Sequence, residues 1–77
     1  MNTKTYELEL ARAKYFQNCD YEGRAEFWMG YFLGLHRAHD GVCFQCAHDV
    51  LMADAGQKGV GYRAGLEAYR TGMPYKN

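Results

Sequence analysis

Apolar residues return along this chain at intervals of three and four, not two. Tyr6, Leu10 and Ala13 share a stripe near the amino end, with Leu8, Ala11 and Tyr15 beside it. Phe27, Trp28, Tyr31, Phe32 and Leu35 then cover most of the circumference of a helix, the pattern of a central, buried element. Phe44, Ala47, Val50 and Leu51 alternate with outward-facing Gln45, Asp49 and Asp54, and Tyr62, Leu66, Tyr69 and Met73 recur at spacing 4, 3, 4. No segment sustains period-2 alternation between turn residues, which argues against a sheet. The pattern predicts an all-α fold: one helical domain, residues 1–77, built as a compact bundle of about four helices over 3–17, 21–40, 43–55 and 60–71.

The stops agree with the periodicity. Gly41, Gly56 and Gly72 each fall just past an apolar-periodic segment, and Pro74 prevents the last helix from resuming. Asn18 is the expected left-handed stop of the first helix. Asp20 is the expected cap of the second, its side chain taking a free backbone amide, with Glu22 favourable in the first turn.

One motif occurs twice. "GYFLGLHRAHDG" (30–41) and "GYRAGLEAYRTG" (61–72) both read G-Y-x-x-G-L-x-x-x-x-x-G. Glycine inside a helix costs about 1 kcal/mol against alanine, so the pairs need an offset. Gly30, Gly34 and Ala38 share one face of the second helix, and Gly61 and Gly65 one face of the fourth. Without side chains there, two helix axes can approach closely. Either the second and fourth helices cross at these faces within one subunit, or the faces form notches for a partner helix or a second copy, giving a homodimer. The intramolecular crossing is the expectation.

Nine basic residues balance nine acidic ones and neither sign forms a run. Nucleic-acid binders need a basic patch to displace counterions, so direct contact with nucleic acid is not expected. The longest apolar run, "FWMGYFLGL", is too short to cross a bilayer. Three cysteines, an odd count, and a polar amino-terminal "MNTKTYELEL" predict a reducing, cytoplasmic setting.

Metal-like chemistry is confined to "HRAHDGVCFQCAHD" (36–49). His36 and His39 at one helix end and Cys43 and Cys46 at the next helix start could converge on a tetrahedral zinc, with His48 a spare ligand. Against this, cysteines near an apolar face are readily buried and structural zinc sites usually carry longer spacers between ligand pairs. The favoured reading is core cysteines and surface histidines, with no metal or other cofactor. His39-Asp40 and His48-Asp49 are neighbours in sequence, which does not orient imidazole against carboxylate. No phosphate loop, nucleophile elbow or H-E-x-x-H helix is present, so the chain does not read as an enzyme.

Residues 24–41, with Phe27, Gly30, Tyr31, Gly34, Leu35 and Arg37, followed by Gly61, Tyr62 and Gly65, resemble small uncharacterised proteins of phages and integrated elements. The resemblance carries over no catalytic residue. It implies an accessory protein that binds host or defence machinery, as phage anti-CRISPR proteins do. In that setting Trp28, Tyr62, Tyr69 and Tyr75 are the candidate contact aromatics for a protein partner.

Overall fold

The computed structural model describes residues 1–41, 51–53 and 56–76. Among the described residues there are three long helices, α1 (Thr3–Asn18), α2 (Ala25–Asp40) and α3 (Gln57–Thr71), with a 3-10 turn at Tyr21–Gly23 between the first two. There is no strand among the described residues, and the all-α expectation holds. Of the helix expected over 43–55, only residues 51–53 are described, and these are helical. Cys43, Cys46 and His48 lie outside the described residues. No described helix is long and apolar enough to cross a membrane.

The helix ends show which local rules decide. Asn2 caps α1, its side chain accepting the Thr5 amide at 2.8 Å. Gly41 (φ 65°) and Gly72 (φ 75°) end α2 and α3 in the left-handed conformation, the amide of each bonded back four residues.

The first inter-helix link departs from expectation. Asn18 stays helical, and the positive φ angles fall on Asp20 (50°), Glu22 (55°) and Gly23 (68°). A tight 3-10 turn therefore occupies the residues expected to open α2, and α2 starts at Ala25. Asp20 still supports that start, since its carboxylate accepts the Ala25 amide at 3.1 Å. Glu22 lies before the helix, and Glu26 takes the first-turn position instead. At the other end, α3 begins at Gln57, three residues earlier than the apolar spacing indicated, and includes Gly59.

α2 and α3 cross at their glycines. A methyl group built on Gly30 would overlap the carbonyl oxygen of Lys58, and one on Gly61 the carbonyl oxygen of Phe27. Gly34 stands in the same relation to Tyr62, and Gly65 to Tyr31. A methyl on either Gly34 or Gly65 would sit 3.1 Å from the Cα of the other. Each glycine of one helix thus meets the backbone atoms equivalent to those its counterpart meets on the other, the signature of a local two-fold. The register, Gly30 opposite Gly61 and Gly34 opposite Gly65, makes the helices run in the same direction. Both glycine faces are consumed by this contact, so a homodimer packed through them would have to take the fold apart.

Phe27, Trp28, Tyr31, Leu35 and Tyr62 are completely buried and form the centre of the core. α1 lies across α2 with Tyr6 and Ala13 facing inward. The N-terminal amine donates to the carbonyl of Tyr69 at 3.1 Å, fixing the chain start against the last turn of α3.

Candidate functional site

α1 carries a polar group into an aromatic interior. Glu9 is only 7% exposed, and a buried carboxylate must be paired and hydrogen-bonded to be tolerated. Arg12, one turn further on, supplies both: its Nη2 lies 2.8 Å from Glu9 Oε1 and its Nε 3.2 Å from each carboxylate oxygen. Tyr31 of α2 adds a fourth bond, its hydroxyl donating to Glu9 Oε1 at 2.9 Å. The same hydroxyl accepts the Tyr75 amide at 3.0 Å, and Arg12 Nη2 donates to the Tyr75 carbonyl at 2.7 Å. Both backbone groups of Tyr75 are thereby held by side chains of α1 and α2.

The rings close around this clasp. Tyr75 packs on Phe27 at 4.9 Å, Trp28 at 6.1 Å and Tyr31 at 6.1 Å between centroids. The Arg12 guanidinium lies 5.0 Å from the Trp28 ring, and Arg24, at the start of α2, lies 4.0 Å above Phe27. Burial pushes the Tyr31 phenol up to about 12; the Tyr75 amide works in the opposite direction, and the Glu9 carboxylate adds to the rise. For Arg12, burial is the largest influence and opposes the charge. The bonds and the negative charge of Glu9 more than offset it, holding the guanidinium above its usual value. The clasp fastens structure and offers no free acid or base.

With its inner face committed, α1 turns an apolar stripe outward. Leu8 is 62% exposed and Tyr15 65% exposed, with exposed Ala11 between them. Tyr21, stacked on Phe16 at 4.5 Å, extends this surface beyond the helix end. The sequence had placed Leu8, Ala11 and Tyr15 beside the buried stripe. In the structure α1 packs on α2 through one face only, which leaves them in solvent.

No family model, curated protein or solved structure matches the chain.

The residues expected to contact a partner divide sharply. Trp28 and Tyr62 are fully buried and present no surface to a partner; both lie at the centre of the helix packing. Tyr75 is half-buried in the clasp. Tyr69 is half-buried too, its hydroxyl 3.2 Å from His39 Nδ1. Ala38 is half-buried on α2, while Gly30, Gly34, Gly61 and Gly65 form the crossing itself. Met73, expected to continue the α3 stripe, is 66% exposed because Gly72 turns the chain out of the helix.

The two described histidines have separate neighbours. His36 pairs with Asp40 at 3.1 Å, and His39 stacks on Tyr6 at 4.0 Å between centroids. Asp40 therefore faces His36 and not its sequence neighbour His39. No group of three metal-ligating side chains converges among the described residues.

The residues that sequence reasoning passed over are Glu9, Arg12, Leu8 and Tyr15. The signal for the first pair was an i, i+3 Glu–Arg spacing, which usually marks a solvated surface pair. The signal for the second was a stripe on the back of α1, at positions 4, 8, 11, 15 and 18.

Proposed function

We propose that this is a small, non-enzymatic helical protein that works by protein–protein contact, and that the outer face of α1 makes the contact. The observation that carries this reading is the outward stripe of Leu8, Ala11 and Tyr15 on a helix whose inner face is already fastened. Exposed apolar and aromatic side chains clustered on one element mark interaction surfaces. The balanced charge favours a protein partner over nucleic acid. Joined to the resemblance of residues 24–41 to phage and mobile-element proteins, this suggests an accessory protein that inhibits host defence machinery in the host cytoplasm.

The test is a plaque assay in a bacterial host whose CRISPR system targets the infecting phage. Expression of the protein should restore plaques by orders of magnitude, and Leu8→Glu with Tyr15→Glu should abolish that effect while leaving the helical circular dichroism spectrum intact. Unchanged plaque counts across hosts carrying different defence systems would sink the inhibitor reading.

A further inference from the structure

The outer face of α1 carries more than apolar exposure. Lys4, Leu8, Ala11, Tyr15 and Asn18, all exposed, follow each other at spacing 4, 3, 4, 3, the repeat of a coiled-coil seam. On one flank of that seam lie Glu7 and Lys14, both exposed and one heptad apart. On the other lie Thr5 and Arg12, the latter turned into the clasp.

We infer that α1 pairs with α1 of a second copy of this chain, antiparallel about a two-fold axis, with Glu7 of each copy against Lys14 of the other. The inference rests on the α1 face being the working surface and names what covers it in the free protein: a weak pairing of two copies that a host partner displaces. An antiparallel two-fold brings like flanks together, so the Glu7–Lys14 flank meets its own reverse and forms two ion pairs. The same register seats Leu8 against Ala11 of the partner helix, twice, at the centre. The alanine lets the helices approach, and Tyr15 lies over Lys4 of the other copy at each end. The opposite flank sets Arg12 beside Thr5. No like charges meet anywhere in this arrangement. A parallel pairing stacks Lys4 on Lys4, which selects against it.

In the single chain the Lys14 ammonium rests 5.5 Å from the Phe32 ring centroid. Its four-carbon stem lets it reach across a neighbouring helix. A seam about 24 Å long with two large apolar side chains per copy falls below the size of a stable dimer interface, so the association is weak.

Sedimentation equilibrium on the intact protein tests this. The wild type should pass from monomer to dimer as concentration rises through a range on the order of 100 µM. Leu8→Glu should remain monomeric throughout. Glu7→Lys, which sets lysine against Lys14, should weaken the dimer roughly fivefold. The double exchange Glu7→Lys with Lys14→Glu should restore it, a result that only antiparallel pairing gives. Three outcomes overturn the inference: a monomer up to about 1 mM, a dimer that survives Leu8→Glu, or an exchange that fails to rescue. If the wild type stays monomeric yet Leu8→Glu with Tyr15→Glu still abolishes plaque restoration, the face belongs to a different protein. The second copy is then excluded while the proposed function stands.

Discussion

Tyr31 shows how much one hydroxyl can hold. It donates to Glu9 and accepts from the Tyr75 amide, so it joins α1, α2 and the carboxy-terminal segment at a single oxygen. Only the neutral phenol can donate to the carboxylate. The folded protein therefore keeps the Tyr31 proton up to about 12, against 10.0 for an ordinary tyrosine. In the unfolded chain this proton is lost first, so stability is fully present below pH 10 and drains away between 10 and about 12. Tyr6, raised by burial and by the charge of Asp40, acts in the same direction. Thermal melts across this range should show a falling midpoint. Tyr31→Phe should lower stability at neutral pH by about 1–2 kcal/mol, because Glu9 and the Tyr75 amide each lose a partner, and should flatten the alkaline decline. An equally steep decline in the variant would mean that another group carries it.

At the scale of the element, the duplicated glycine motif is a packing device. Gly30 and Gly61 face the backbone carbonyls of Lys58 and Phe27, which leaves no room for a methyl group. Replacing either by alanine gains about 1 kcal/mol of helix propensity. Forcing the helices apart costs more, since overpacking a tight contact typically costs 1–3 kcal/mol and here the obstacle is rigid backbone. Gly30→Ala and Gly61→Ala should each lower the urea midpoint despite their better propensity, and a rise would place the crossing elsewhere. This crossing was legible in the sequence because glycines four apart have few other uses inside a helix. The stops at Gly41 and Gly72 were legible for a similar reason, since a left-handed residue at a helix end favours glycine. The turn after α1 was not, because two of its three left-handed positions fall on Asp20 and Glu22 rather than on glycine, and only Gly23 carries a sequence signal for positive φ. The clasp was hidden too: Glu9 and Arg12 read as a solvated pair until α2 and Tyr75 close over them. The outward turn of Leu8 and Tyr15 was obscured because the hydrophobic residues of α1 lie on both of its faces.

Across the whole molecule, the last residues act as a third layer over α2. The ring of Tyr75 covers Phe27, Trp28 and Tyr31, and its backbone is held by Arg12 from α1 and by Tyr31 from α2. Trp28 is the only tryptophan and is fully buried; its indole Nε1 has no hydrogen-bond partner among the described residues. Such a group gains from water as soon as its cover is lifted. Tyr75→Ala removes the ring while leaving the backbone bonds possible, so it separates the ring's contribution from that of the clasp. Loss of a half-buried aromatic should cost about 2 kcal/mol, which in a chain of this length lowers the melting midpoint by roughly 8–16 °C. Under native conditions the Trp28 emission should shift to longer wavelength as water reaches the indole. Lys76→Ala, at an exposed position, should change neither. If Tyr75→Ala lowered the melting point without moving the emission, the helices would have closed over Trp28, and the tail would contribute stability without shielding it. If both stayed at wild-type values, the core of α1, α2 and α3 would be complete without the tail. The aromatic layer over α2 would then be a surface contact and not part of the fold.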